Sequence, residues 1–258
     1  MQPADAGGAR RRACLPPPGD NGPEGCNGRL QPISLSLSWT IPSHRITRMS
    51  TRQFVLARIT EHIEPIDRGE RYEDPLAAFL SEHGLGEVTG GGSQLNADGE
   101  IEFADVELEL VNLDDAITRL VQQLEVMGAP FGSSIQFAAE SGREALPFGR
   151  FEQLTIYLDG TGLPPSVYES LDFDRLYSEL GEAVASEAGG QARSVWTGPT
   201  ETAIHLAGPK ADALEQVVTV MWNTVPVLQN ARLVLRYSDG RAPIERRLPM
   251  RDSSPGAA

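Results

Sequence analysis

The sequence predicts an α+β protein built from two tandem β-α-β-β-α-β units, with antiparallel sheets and the helices on one face of each. Three observations lead there. The stretch Gly86–Leu110 (GEVTGGGSQLNADGEIEFADVELEL) reads as a β-hairpin closed by a turn over Asn96–Gly99. Asp98-Gly99 is a strong turn signal, because Gly tolerates positive φ and Asp bonds its own backbone. Helical patterns flank the hairpin on both sides, and the same order of elements recurs about a hundred residues later.

In chain order, Phe54–Ile59 is a short apolar-rich strand. Asp74-Pro75 starts a helix, with Asp as N-cap and Pro at the first helical position. Leu76, Phe79, Leu80 and His83 lie at helical spacing, and Gly84 ends the helix. After the hairpin, Asn112 caps a helix whose first turn carries Asp114 and Asp115, favoured there by the dipole. Leu113, Ile117, Leu120, Val121, Leu124 and Met127 form its apolar stripe, and Gly128 and Pro130 stop it. Ser134–Ala138 closes the first unit. In the second unit, Leu154, Ile156 and Leu158 alternate as a strand, and Asp172 caps a helix carrying Phe173, Leu176, Leu180 and Val184. A hairpin follows (Ala192–Trp196, a Gly198-Pro199 turn, Thr202–Leu206). The helical stripe Leu214, Val217, Val218, Met221 and Val225 and a last strand Arg232–Tyr237 complete the copy. The expected division is 1–48 a disordered extension, 49–138 the first unit, 139–150 a linker, 151–247 the second unit and 248–258 a disordered tail. Met49, followed by Ser50-Thr51-Arg52, is the expected natural start, because residues 1–48 are rich in Pro, Gly and Arg and have no period.

The formal charge is −14, and its distribution is informative. Residues 1–48 hold six Arg and three acidic residues, which leaves 16 basic against 33 acidic groups, a charge of −17, in the rest. Such an acidic body argues against non-specific nucleic-acid binding, which needs clustered cations, and is compatible with a basic protein partner. No run approaches the roughly 18 apolar residues that span a membrane. One lysine against 21 arginines fits a GC-rich, bacterial genome. Both cysteines, Cys14 and Cys26, precede Met49, so the body has no disulfide, thiolate nucleophile or cysteine metal site, and a cytoplasmic location is expected.

The most unusual local feature is acidic. In the strand after the turn, Ile101 and Phe103 share one parity and Val106, Leu108 and Leu110 the other. One extra residue near Ala104-Asp105, a β-bulge, would put all five on one face and line up Glu100, Glu102, Asp105, Glu107 and Glu109 on the opposite one. That row reads as the solvated outer face of a half-buried sheet, as a docking surface for a basic partner, as a carboxylate cation site, which needs several oxygens converging on one point where a strand spreads them out, or as part of an interface in which the two units' open sheet faces pack together, with Arg232 and Arg236 opposite Glu107 and Glu109. Gly90-Gly91-Gly92 is not a phosphate loop, since Ser93-Gln94 follows in place of Lys and Ser or Thr; it reads as a kinked edge strand. From Met49 onward the histidines are His62, His83 and His205. His83 falls on an apolar helical stripe, a packing position. His62 lies at a strand end beside Glu61 and Glu64, where a metal site is conceivable. His205 points away from the face chosen by Ile204 and Leu206, toward a cleft between the units. Trp196, just before a turn, is placed to present a contact surface. No nucleophile elbow, lysine phosphate motif or Cys-His pair is present.

The element order resembles the ferredoxin-like superfold twice over, across nearly all of 49–237. The stretches IEPIDRGERYEDPL and GEVTGGGSQL resemble those of an uncharacterised bacterial family. The superfold hosts many functions, so function rests on the site. The leading expectation is a non-enzymatic binding protein of the antitoxin or immunity kind, without metal or cofactor, whose acidic residues and Trp196 meet a basic protein, and which can oligomerise. The alternative is an enzyme or small-ligand binder of the α+β barrel type, with His205 in a cleft between the units.

Overall fold

The computed structural model describes residues 51–139 and 142–251, so the readings for 1–48 and for 252–258 fall outside the described residues. Two antiparallel five-stranded sheets, each with its own apolar core, make up an α+β architecture. The first sheet contains β1 (Arg52–Ile59), β2 (Gly86–Leu95), β3 (Ile101–Val111), β4 (Ser133–Ala139) and β5 (Gly142–Phe148), in the order β2-β3-β1-β4-β5. Alternation drives it: Val55, Ala57 and Ile59 of β1 and Ala104, Val106, Leu108 and Leu110 of β3 are buried on one face. They meet Leu76 and Leu80 of α2 (Asp74–His83) and Ala116, Ile117, Leu120 and Leu124 of α3 (Leu113–Val126).

Asp74 does not cap α2. A short α1 (Pro65–Arg68) runs through a π-turn (Gly69–Glu73) directly into it, and Glu73 is helical at φ −65° and ψ −52°. Pro75 has no N–H to give an ordinary helical bond, and a π-turn is a common way to accommodate such a defect within a continuing helix. Gly84, at φ +62°, ends the helix as its position predicts.

The bulge in β3 lies at Glu102, not at Ala104-Asp105. Gln94 pairs Phe103 and Leu95 pairs Ile101, leaving Glu102 unpaired, while β1 stays in register with β3 from Ala104 to Val111. Phe103 therefore shares the outer face with Asp105, Glu107 and Glu109, and Glu100 is out of that row because it lies before β3, buried in the turn. The expected line of five carboxylates is a line of three.

The second sheet has β6 (Glu152–Asp159), β7 (Gln191–Thr197), β8 (Glu201–Gly208), β9 (Arg232–Arg236) and β10 (Ile244–Arg247), in the order β10-β9-β6-β8-β7. Leu154, Ile156, Ile204, Leu206, Leu233 and Leu235 face a core shared with α5 (Phe173–Ala188) and α6 (Ala211–Trp222). Asp172 caps α5, its side chain accepting from the Arg175 amide. A one-turn α4 (Pro165–Glu169) precedes it.

Residues 139–150 are not a plain linker, because they include β5, paired with β4 from Phe148 to Gly142. β5 (GREALPF) and β10 (IERR) are edge strands, mostly exposed and without an apolar alternation to announce them. Nor is 248–251 a free tail: Leu248 is buried, and its amide donates to the Ala231 carbonyl.

The open faces of the sheets do not pack on each other. Phe54, on the first sheet's open face, is 52% exposed. Glu109 pairs with Arg52 and Asp105 with Arg58, while Arg232 binds Glu201, so the expected pairing of Arg232 with Glu107 and Glu109 is not formed. Instead the open face of the second sheet covers one end of the first unit: Gln153 bonds the Thr60 carbonyl, Ser194 the His62 carbonyl and Arg193 the Gly128 carbonyl.

The chain crosses between the units at Gly149. Its φ is +97°, and a Cβ there would overlap the Pro130 carbonyl oxygen. Gly149→Ala is expected to lower stability by more than about 1 kcal/mol, read as a reduced urea midpoint; an unchanged midpoint would show that the crossing is not fixed in this way.

Candidate functional site at the junction of the two sheets

Glu100 is delivered to the junction by the hairpin turn. The Asn96 Oδ1 accepts from the amides of Asp98 and Glu100, both at 2.9 Å, which folds the turn back and seats Glu100 at the mouth of β3. His62 follows β1 in the segment leading to Pro65. His205 and Thr155 come from facing positions on β8 and β6, and Tyr157 lies two residues further along β6 on the same open face.

These groups converge. The Tyr157 hydroxyl donates to Glu100 Oε1 at 2.9 Å. His62 Nδ1 lies 3.5 Å and His205 Nε2 3.4 Å from that same oxygen, and one donor atom each of His62, Glu100 and His205 fall within 4.8 Å of one another. The two imidazoles stack, with centroids 4.2 Å apart and planes 4° from parallel. Thr155 Oγ1 is 3.1 Å from His205 Nδ1, which leaves Nε2 facing the carboxylate. Side-chain exposure is 14% for His62, 8% for Glu100 and 5% for His205. His62 Nδ1 and His205 Nε2 are both buried without a hydrogen-bond partner among the described residues.

Burial, more than any neighbour, holds both histidines neutral. It lowers His62 to about 4, with repulsion from Arg236 adding to the fall and a hydrogen bond to the Ile101 backbone opposing it. Burial, His62 and Arg236 together lower His205 to about 2. Burial and the Glu100 carboxylate push the Tyr157 hydroxyl well above its ordinary range, so it stays a donor. The site thus presents a carboxylate and neutral imidazole nitrogens to one point. Beside them is a cavity of about 10 Å³ lined by His62, Glu64, Glu100, Ser194, Trp196 and His205.

A second buried cluster braces the same junction. Glu61, 1% exposed, accepts from the Tyr72 hydroxyl and from Arg71 Nη1 at 2.9 Å, and faces Arg193 Nε at 3.4 Å. Arg193 arrives through a bulge in β7: Ala192 pairs Leu206 and Ser194 pairs His205, so Arg193 is the extra residue. The bulge turns two consecutive side chains, Arg193 and Ser194, into the junction.

Of the residues singled out in the sequence, Glu100 and His205 meet here, and Trp196 lines the cavity. Glu102 is exposed, Asp105 forms two 2.9 Å bonds with Arg58, Glu109 lies 3.5 Å from Arg52, and Glu107 is half-buried with no ion pair among the described residues. His83 is exposed, with Nδ1 2.9 Å from the Phe79 carbonyl. Tyr157, Arg193 and Glu61 carry no sequence signal of their own. His62 had one, its place at a strand end between two glutamates.

No protein-family model matches the chain, and no curated protein matches it. Among solved structures it is similar to a complex of TiaS with a tRNA, AMPCPP and agmatine, at 10% identity and a TM-score of 0.26 over 76% of this chain and 60% of that one. It is also similar to a "putative monooxygenase from Lactobacillus acidophilus NCFM", at 14% identity and a TM-score of 0.23 over 76% of this chain and 99% of that one. The chain spans less than two thirds of the first of these, and at such TM-scores neither likeness carries an argument. No helix among the described residues is long and apolar enough to cross a membrane.

Proposed function

We propose that the protein is a non-enzymatic binding protein whose binding centre is the junction, and that its ligand is a small cation. One observation carries this reading: a buried carboxylate and two buried imidazole nitrogens without hydrogen-bond partners converge within 4.8 Å of one another, and a neutral imidazole can give its proton-free nitrogen to a cation. A buried carboxylate whose partners are all neutral is costly, and a cation relieves that cost. Size agrees. A cavity of about 10 Å³ has the volume of one water-sized probe, which suits an ion or a water molecule beside the three donors. We also assign both halves to the ferredoxin-like order, which the arrangement of β2-β3-β1-β4 and β7-β8-β6-β9 supports, and place the protein in the cytoplasm on its cysteine usage.

The test is native mass spectrometry of the full chain as isolated from its own cells. The expected spectrum shows a one-to-one adduct of ionic mass, absent from Glu100→Gln and retained in the outer-face variant Glu107→Gln. A wild-type chain with no adduct, or an adduct indifferent to Glu100, would refute the reading.

A second reading, an acidic surface for a basic protein partner, draws on one observation. Glu102 stays exposed and Glu107 lacks an ion pair among the described residues on the outer side of β3, while Asp105 and Glu109 are offset by Arg58 and Arg52. A partner retained from lysate at low salt and released at high salt would support it, and retention equal to that of Glu102→Gln/Glu107→Gln would sink it.

A further inference from the structure

Resting on the junction reading, we propose that the cation is a divalent transition-metal ion of the zinc and cobalt class, bound by His62 Nδ1, Glu100 Oε1 and His205 Nε2, and that His62 turns out of its stack to bind it. The donor set selects the class. Neutral imidazole suits zinc, cobalt and iron, whereas calcium and magnesium take oxygen donors throughout. The spacing agrees. An ion with ligands at about 2.1 Å in tetrahedral array holds them about 3.4 Å apart, and Glu100 Oε1 lies 3.4 Å from Nε2 of His205, the imidazole that stays in place. Three protein donors leave a fourth position for water or another ligand. Each fixed donor is itself held. Thr155 bonds the other nitrogen of His205, and Tyr157 and Asn96 bond the Glu100 carboxylate, the outer contacts that orient metal ligands.

The stacked rings set the condition for binding. A metal lies in the plane of each imidazole that ligates it, and two parallel planes held apart by stacking share no such point. One ring must turn. His205 is fixed by Thr155 within a central strand, while His62 sits on the irregular segment after β1 and is the more exposed of the two. His62 is therefore the mobile ligand. Trp196, lining the same cavity, is a built-in reporter of its movement. Around the site, Arg236 opposes a cation and Glu61, Glu64 and Glu102 favour one.

The full chain, stripped with a chelator, is titrated with Co²⁺ and Zn²⁺ and in parallel with Ca²⁺ and Mg²⁺. One Co²⁺ per chain with the intense visible bands of tetrahedral cobalt, displaced by Zn²⁺ and indifferent to Ca²⁺ and Mg²⁺, is the expected result. Affinity should fall by more than about 100-fold in His205→Ala and in the shape-conserving Glu100→Gln, since loss of a mere orienting contact already costs about 10–100-fold, and Glu107→Gln should bind as the wild type does. Zn²⁺ should change Trp196 emission in a Trp39→Phe/Trp222→Phe background, where Trp196 is the one tryptophan left, and His62→Ala should abolish that change. Ca²⁺ or Mg²⁺ binding in place of Co²⁺, or Co²⁺ binding that ignores His205 and Glu100, would overturn the metal class. Zn²⁺ binding with Trp196 emission unmoved would overturn the turning of His62. A native cation adduct together with refusal of Co²⁺ and Zn²⁺ would leave the junction reading standing and this inference wrong, and no adduct and no metal would remove both.

Discussion

Replacing Glu61 with glutamine is expected to destabilise the protein by about 3–5 kcal/mol, the usual cost of removing one partner from a buried ion pair. The carboxylate is 1% exposed and, among the described residues, is the only acid paired with Arg193, whose side chain is also 1% exposed. Without it, Arg193 keeps one hydrogen bond, to the Gly128 carbonyl, while Nε and Nη1 face no acceptor. Glutamine keeps one acceptor oxygen, so of the Tyr72 hydroxyl and Arg71 one retains its partner while the other faces an NH2 donor. Arg71→Gln, by contrast, removes a quarter-exposed partner that solvent screens, and should cost about 1 kcal/mol or less. Urea midpoints of the two variants provide the comparison. Adding Arg193→Met to Glu61→Gln should recover part of the loss, since the two residues are coupled. A Glu61→Gln midpoint equal to that of the wild type would mean that the junction is wet.

Stability of the ion-stripped protein is expected to fall steeply once the pH drops below about 6.5, the ordinary histidine value. The sign follows from the two buried imidazoles. Their folded values, about 4 and about 2, lie below the unfolded one, so the unfolded chain binds protons first. The stability they contribute is intact above pH 6.5 and is lost as the pH falls toward those folded values. Each histidine removes up to about 1.4 kcal/mol per pH unit within its window. Arg236 steepens the effect by repelling the protonated ring, and Glu61 and Glu102 offset part of it at His62. Unfolding free energies measured from about pH 7.5 to about pH 4.5 should show this limb, and His205→Asn should roughly halve its slope. A profile flat across that range would contradict the burial of the pair.

Much of the fold was legible because it rests on local chemistry. The alternation of Val106, Leu108 and Leu110, the stripe from Leu113 to Leu124, the stop at Gly84 and the cap at Asp172 each follow from residue type and spacing. What escaped was non-local. The bulges at Glu102 and Arg193 are set by pairing with the neighbouring strand, and expecting the first near Ala104-Asp105 put Phe103 on the wrong face. Edge strands β5 and β10 are polar and carry no pattern. The site itself joins His62, Glu100, Tyr157 and His205 from four separate parts of the chain. The parity of His205 in β8 placed it on the open face, but nothing in the sequence says that the end of the other unit, and not its face, would cover it.

The account turns on two neutral histidines whose ring nitrogens converge with one buried carboxylate on a single point. Side-chain NMR titration of His62 and His205 in the ion-stripped chain measures that state directly. The account predicts that both resonances hold their neutral positions down to about pH 5, while an inflection near the ordinary value of about 6.5 in either would contradict it.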